Sequence, residues 1–446
     1  MKKTCIETAR KIKMDLENEI SIQHETKVLS YKLYKYLSNK PSFYSLDHQK
    51  NIYVSVNENQ INIDFFSERS RIEKLINWTL EVLPIINLLK TECRLPIIRD
   101  SEIDLDCYLD QQYSKFLQAL KNLPCENPNE IKVKAIEEFC KTIIQTLKLY
   151  LDGYPGTAFE NFKNGMDIFL KHHNELDRLT LLKDEIRTKD ILFRIRSEKN
   201  EDETIDRIGM FHIPFNLREI VGSYRFSISG YPSLYLGSSL WGCWEELNKP
   251  QKDSLNMSAF KIKNIEKVKI LDISFAPEFL ATRISDHFNF SSNKHDFTDL
   301  LFVWVLSSAC SIKVKHVDKP FKSEYIIPQL LTEWVRTSSD FNAISYTSTK
   351  ALEINNSNYT LYKNYVFPSK IRSNSGHCSF LESLFVISDP VKYSVLDYPT
   401  HRSSNNHISK FALDEKIEEF GDFYYSTDFG KIESICKDNV LGLKGR

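Results

Sequence analysis

The sequence predicts an α+β protein, helical over its first 180 residues and mixed thereafter. Between Asn129 and Leu151 the apolar residues recur at Ile136, Phe139 and Cys140, Ile143 and Ile144, Leu147, and Tyr150 and Leu151. That spacing is close to the ~3.6-residue period of a helix with one buried stripe. From about residue 190 the pattern alternates, beginning with ILFRIR at 191–196. Strand-like and helix-like runs then follow one another without the regular βαβ alternation of a doubly wound sheet. The expected division is a mainly helical N-terminal domain over 1–180, a mixed domain over 185–390 and a C-terminal extension over 391–446 packed on it.

In the first region the helix of 129–151 starts after Pro128, with Glu130 in its first turn, and stops at Gly153-Tyr154-Pro155-Gly156. A second helix is expected over 157–176. Earlier ones are expected over 68–90, where Pro84 marks a kink or break, and over 105–123. Residues 51–65 alternate around Asn57-Glu58-Asn59 and predict a hairpin. Helical stripes of this kind are ordinarily core, and no chemistry is assigned to this region. In the second region strands are expected over 191–196, 264–274, 311–317, 343–349 and 359–368. A buried helix is expected over 297–307. Another is expected over 325–336, with Pro328 in its first turn, where proline is tolerated. The tail carries a polar loop at 403–406 and a helix from Leu413 closed by Gly421.

A chain of 446 residues has room for two or three domains. Hydrophobic content of 41%, charged content of 27% and a formal net charge of -1 describe an ordinary soluble chain. Its charge gives no global reason to expect nucleic acid as a partner. The opening MKKTCIETARKIKMDLENEI has two lysines but no apolar run, which argues against a secretory signal. The most apolar run, LLFVWVL at 300–306, has the length of a buried segment rather than a membrane span. A cytoplasmic protein without membrane contact is expected. Nine dispersed cysteines, with no Cys-x-x-Cys pair, and histidines without a His-Glu-x-x-His pattern predict reduced thiols and no metal site. No G-x-G-x-x-G follows a strand and no G-x-x-x-x-G-K-[ST] occurs, so neither a Rossmann dinucleotide site nor a P-loop is expected.

The informative stretch is 210–246, MFHIPFNLREIVGSYRFSISGYPSLYLGSSLWGCWEE. Five of the 13 glycines (Gly209, Gly222, Gly230, Gly237 and Gly242) fall in or beside it. Glycine gathers where a backbone turns with positive φ or passes close to something. Arginine, tyrosine and glutamate interleaved with such turns suggest a polar site at strand ends; a β-rich core segment with ordinary turns is the alternative. Polar residues in strand-like settings recur in three separated pieces: Arg194 in LFRIR, the block from Arg225 to Glu246, and Ser348 in ISYTS.

In this order of arginine, glutamate and serine the chain resembles the RES domain family over roughly 190–370. The blocks are LFRIR, YRFSISGYPSLYLGSSLWGCWEEL, EYIIPQLL, AISYTS and NYVFP. Longer members with a helical N-terminal extension look most similar, and YLDGYPGTAFENF resembles the end of that extension. The resemblance implies an ADP-ribosyltransferase-like fold, a split and mostly antiparallel β-core flanked by helices with a cleft for NAD. It implies an enzyme that consumes NAD as substrate, cleaving the nicotinamide–ribose bond by phosphorolysis or hydrolysis, with no resident cofactor. It further implies a toxin or anti-phage defence effector, with phosphate as a candidate co-substrate and an antitoxin or regulatory protein as a candidate partner. Mono-ADP-ribosyl transfer to a macromolecule and a non-catalytic interaction role are the alternatives on the same scaffold.

Carried over residue by residue, the family's first arginine falls on Arg194 and the arginine of its Gly-Arg-Phe/Trp element on Arg225. The tyrosine of its Val-x-Tyr-Leu element falls on Tyr235. The glutamate eleven positions later is Glu246, with Glu245 as a one-residue alternative. The serine of its Gly-Ile-x-Tyr-x-Ser element falls on Ser348. Tyr224 stands where short members have glycine. Asn342-Ala343 replaces the glycine before the last element, which bears on the backbone path because alanine tolerates positive φ poorly.

The residue types fit the implied chemistry. A guanidinium fork binds pyrophosphate oxygens bidentately, a role open to Arg194 and Arg225. A carboxylate, Glu246, stabilises oxocarbenium character on the ribose or holds a ribose hydroxyl. Ser348 would hold the ribose or position the attacking phosphate or water. Tyr235 would stack on nicotinamide or donate to a phosphate. Glu246, Ser348 and Arg194 are the candidate catalytic residues, and Arg225, Tyr235, His212 and Arg218 the candidate substrate contacts. Structural readings stand beside these. A buried Arg–Glu pair is often only structural, and a strand tyrosine is usually core. His212, Arg218 and Gln329 suit capping or core roles equally well. His377 and Cys378, as adjacent residues, are not expected to form a nucleophile dyad.

Overall fold

The structure of the protein, a computed structural model, describes residues 2–17, 55–57, 60–62, 83–99, 102–123, 133–172, 191–198, 205–274, 295–316, 318–350, 358–397 and 421–442, with a few positions between 73 and 80. The chain forms two compact units: 1–94 with 112–137 and 276–301, and 95–111 with 138–275 and 302–446. The boundary therefore does not fall at residue 180, since 138–172 belongs to the same unit as the strands that follow it.

The first unit contains helix α1 (Lys2–Glu17) and a hairpin of β1 (Ser55–Asn57) and β2 (Gln60–Asn62). It also contains helix α2 (Leu83–Lys90). The hairpin expected within 51–65 forms, its register placing Val56 opposite Ile61 and Asn57 opposite Gln60. Pro84 is the second residue of α2, a position that requires no donated N–H. Helices α3 (Leu105–Lys121) and α4 (Val133–Leu151) each cross a unit boundary in sequence.

In the second unit α4 is followed by α5 (Pro155–His172). The predicted stripe of α4 is buried at Phe139, Ile143 and Leu147, and Phe139 stacks on Phe169 of α5 with centroids 5.0 Å apart. The centre of the unit is an eight-stranded sheet. Its strands are β3 (Ile191–Ser197), β4 (Ser233–Gly237), β5 (Leu255–Ile262), β6 (Ile270–Asp272), β7 (Ala343–Thr347), β8 (Lys363–Pro368), β9 (Phe385–Ile387) and β10 (Val391–Lys392). The order is β10-β5-β3-β4-β8-β7-β6, with β9 also on β5, and only β6 and β7 run parallel. The protein is α+β.

The sheet is divided along its middle. β3 and β5 are paired at seven positions and β4 and β8 at five, but β3 meets β4 only at Phe193 opposite Gly237. Alternation along the strands loads both faces with apolar side chains. Leu192, Leu234, Leu236, Phe260 and Phe367 pack in one core layer, with Phe211, Phe215, Leu381 and Phe385. Phe193, Ile195, Met257 and Ala259 pack in the other, with Leu240, Trp241, Phe429, Ile432 and Cys436. The second layer is covered by α6 (Leu240–Glu246) and by the C-terminal α10 (Asp428–Leu441), so the tail packs on this unit. Helices α8 (Ile326–Thr337) and α9 (Ser379–Leu384) complete the unit, with α7 (His295–Cys310) from Phe302 onward.

Several local expectations change. Residues 264–274 hold only the three-residue β6, preceded by a 3-10 turn at Ile265–Lys267. Residues 311–316 are not a strand: Lys313 N–H donates to Ile97 O (2.9 Å) without a ladder to extend it. β8 begins at Lys363, after a 3-10 turn at Tyr359–Tyr362. The loop at 403–406 and most of the helix expected from Leu413 lie outside the described residues.

Candidate active site

Glu246 is the last residue of α6, not a strand-end residue as expected. Ser239 begins the helix: its hydroxyl accepts from Gly242 N–H (2.9 Å) and donates to Leu361 O (2.7 Å). Gly242 is required by proximity, because a Cβ there would collide with Leu361 O. Asn248 and Lys249, both with positive φ (62° and 55°), turn the chain away after the helix. Consecutive helical residues point about 100° apart. Glu245 is accordingly buried and pairs with Lys249 (2.9 Å), while Glu246 faces the end of β7.

Two side chains meet Glu246 there. Ser348 Oγ donates to its Oε1 at 2.6 Å, and Asn364 Nδ2 donates to the same oxygen at 2.7 Å. Ser348 is itself fixed: its N–H donates to Tyr362 O (2.8 Å) and its Oγ accepts from Lys350 N–H (3.1 Å). Both donors are buried, whereas Glu246 is partly exposed and its Oε2 has no hydrogen-bond partner among the described residues. Asn364 lies on β8 opposite Gly237 on one side and Tyr346 on the other. Ala343 sits in β7 without positive φ, so the replacement of glycine before this strand leaves its path ordinary.

The arginines are placed differently. Arg225 lies in a turn, and its guanidinium donates to Cys310 O (3.0 Å) and Ile312 O (2.8 Å) at the end of α7. It also stands 5.2 Å from the centre of the Tyr325 ring. Burial lowers its pKa, opposed by Tyr325, Cys310 and Glu246, and an arginine so placed remains a cation. Gln329 of α8 anchors the same loop by donating to Ser223 Oγ (3.1 Å) and Tyr224 O (3.0 Å). Phe226 stacks on Tyr346 at 4.1 Å. Tyr235 donates its hydroxyl to Phe226 O (2.8 Å), so it supports the Arg225 loop. Burial raises the Tyr235 and Tyr346 phenols above their ordinary range.

Arg194 occupies the seam where β3 and β4 part. Its Nη1 donates to Tyr235 O (2.7 Å), a carbonyl without a ladder partner on β3. Its Nε is buried without a partner, and burial followed by repulsion from Arg196 lowers its pKa to about 10. Cys243 Sγ caps the other side of the seam on Phe193 O (3.4 Å). No hydrogen bond or ion pair joins Arg194 or Arg225 to Glu246 among the described residues.

His212 takes a structural place. It is 1% exposed, its Nδ1 donates to Ile213 O (2.7 Å), and its Nε2 accepts from Cys378 N–H (2.9 Å). Both ring nitrogens are engaged with backbone, and burial pushes its pKa down to about 4. Arg218 is exposed on the 3-10 turn Phe215–Ile220, with no side-chain hydrogen bond to the Glu246 cluster. His377 approaches Glu382 (3.9 Å), and Cys378 is buried with its N–H on His212, so the two do not form a dyad.

A small cavity of about 20 Å³, room for roughly one water, adjoins Ser348 and is lined by Leu95, Pro96, Ile273, Ser307 and Tyr346 among others. Among the described residues no three His, Cys, Asp or Glu side chains gather as a metal site would require. No helix there is long and apolar enough to cross a membrane.

The residue that sequence reasoning missed is Asn364. It belongs to the NYVFP block, yet it was not singled out. The available signal was one amide in a strand whose other residues are suited to burial.

Over 445 residues the chain is 37% identical to a protein of Bacillus subtilis (strain 168) named "Putative toxin YopC", across 97% of this chain and 99% of that protein. This chain belongs to that protein's family. The match takes in both units rather than a single module. No family model matches the chain, and no solved structure matches it.

Proposed function

We propose that this protein is a toxin that consumes NAD by breaking the nicotinamide–ribose bond at Glu246. The relative's name supports the toxin part. The RES resemblance of the Arg194, Arg225–Glu246 and Ser348 blocks supports the NAD part. The divided, mostly antiparallel sheet is in keeping with an ADP-ribosyltransferase-like core. One observation carries the reading: Glu246 is held through Oε1 by Ser348 and Asn364, while Oε2 is left open. A carboxylate fixed by one oxygen is a preorganised anion, placed before any charge develops beside it.

In the proposed reaction the bond between ribose C1′ and the nicotinamide nitrogen breaks, and its electron pair leaves with the nitrogen. Nicotinamide departs neutral, so no general acid is needed. Glu246 stabilises the cationic character left at C1′, and an oxygen of phosphate, or of water with release of its proton to solvent, forms the new bond there. Ser348 and Asn364 orient the carboxylate. Arg225, with two Nη–H groups on carbonyls, retains further N–H donors for a pyrophosphate oxygen.

The test is NAD turnover by the purified full chain, with and without phosphate, with products identified beside Glu246→Gln. Release of nicotinamide and ADP-ribose or its phosphate is expected, slowed on the order of 10³-fold in the variant. Label from NAD appearing on protein or nucleic acid instead would indicate mono-ADP-ribosyl transfer. NAD left intact under both conditions, together with unchanged toxicity of Glu246→Gln in cells, would overturn the proposal.

A further inference from the structure

The helix that carries Glu246 has seven residues, too short to persist without outside support. Its first N–H groups need acceptors from outside the helix. Ser239 supplies the one for Gly242. The other two come from the C-terminal segment. Leu240 N–H donates to Glu433 Oε1 (2.8 Å), and Trp241 N–H donates to Tyr424 Oη (3.3 Å). The Tyr424 hydroxyl donates in turn to the same Glu433 oxygen (2.5 Å). Lys437, one turn along α10, lies 3.7 Å from Glu433 Oε2. Glu433 is 2% exposed and Tyr424 1%. Leu240 and Trp241 pack in the same core layer as Phe429, Ile432 and Cys436 of α10. Burial, with Glu433 beside it, holds the Tyr424 phenol well above its ordinary range, so the hydroxyl keeps its proton.

A buried carboxylate is costly unless it is hydrogen-bonded, and this one spends an oxygen on the first turn of α6. We propose that the C-terminal helix is a working part of the site: Glu433, through Tyr424 and the Leu240 amide, is a positioning residue for Glu246. The catalytic consequence rests on the NAD reading, whereas the mechanical one does not. With the start of α6 released, Glu246 loses its fixed distance to Ser348 and Asn364. A misplacement of about 1 Å at a reacting group costs on the order of 10²-fold in rate.

Two measurements on the full chain separate the claims. Hydrogen exchange reads the latch without reference to NAD. In Glu433→Ala the amides of Leu240–Glu246 should exchange about tenfold faster or more, with β3, β5 and β8 unchanged. In Tyr424→Phe, which removes one oxygen, the Trp241 amide should exchange several-fold faster. Glu433→Gln, which keeps an acceptor for Leu240, should stay within a few-fold of the parent chain. NAD turnover reads the consequence: kcat should fall roughly 10- to 100-fold in Glu433→Ala with KM little changed, and Glu433→Gln should restore most of it. Unchanged exchange of 240–246 in both Glu433→Ala and Tyr424→Phe overturns the latch. Faster exchange spread evenly over sheet and helix in Tyr424→Phe also overturns it. If the parent chain leaves NAD intact, the NAD reading falls and the exchange result still decides the latch.

Discussion

At Glu246 two side chains converge on one carboxylate oxygen and leave the other open. At Arg225 and Arg194 the charged groups are turned inward onto the carbonyls of Cys310, Ile312 and Tyr235. At the acidic end Glu246 Oε2 is left without a hydrogen-bond partner among the described residues. The basic end is arranged around the fold itself. An arginine that lines a ligand cleft and one that satisfies stranded carbonyls have the same side chain and the same burial. Only the partner distinguishes them.

Four substitutions and a pH series probe that contrast. Beyond Glu246→Gln, where the largest loss of turnover is expected, the sharpest test is Arg225→Leu. It strands two carbonyls at the end of α7 and should cost about 2–4 kcal/mol of stability by denaturant titration. A variant that keeps its stability and loses only NAD affinity would place Arg225 with the ligand instead. Ser348→Ala and Asn364→Ala should each slow turnover roughly 10- to 100-fold with a small change in Tm, because one donor to Glu246 remains in each. Equal losses of stability and turnover would make the pair structural.

The pH series concerns the scaffold on the other face. His212 is held neutral by burial, its pKa lowered from 6.5 to about 4. Below pH 6.5 the unfolded chain takes up a proton that the folded chain refuses, so stability present above that pH is lost as pH falls toward 4. His377, also lowered by burial, titrates in the same direction. The loss attributable to His212 should be on the order of 3 kcal/mol and should be absent from the pH profile of His212→Gln. A His212→Gln profile as steep as that of the parent chain would assign the acid sensitivity elsewhere.

Of the residues singled out in the sequence, the structure joins Glu246 and Ser348 directly and gives Arg194 and Arg225 main-chain partners. Glu246 and Ser348 stood in spaced blocks whose residue types suit one chemistry, and they meet at 2.6 Å. The choice between Glu245 and Glu246 needed a helix that seven residues containing Trp-Gly-Cys-Trp do not announce by period. Asn364 was hidden because one amide in a mostly apolar strand reads as an edge residue, and the carboxylate it holds lies 118 residues away in sequence. Arg194 and Arg225 come from the RES resemblance, and the guanidinium chemistry that suggests a pyrophosphate role serves main-chain carbonyls equally well. β5 went unseen because Asn256 and Ser258 interrupt its apolar run, although both are buried. Tyr424 and Glu433 gave no signal at all, since the α6 amides they hold lie more than 180 residues away.

The lone contact between β3 and β4 bears on how this sheet comes together. A ladder of many rungs closes cooperatively and fixes its own alignment. Here the halves β10-β5-β3 and β4-β8-β7-β6 each close such a ladder, and a single rung at Phe193 and Gly237 joins them. Alignment across the join is left to Arg194 on Tyr235 O and Cys243 on Phe193 O. The halves are thus the natural cooperative units of folding, and their union is a docking step set by side chains. Exchange at positions 194 and 243 between relatives would then alter assembly before it altered chemistry.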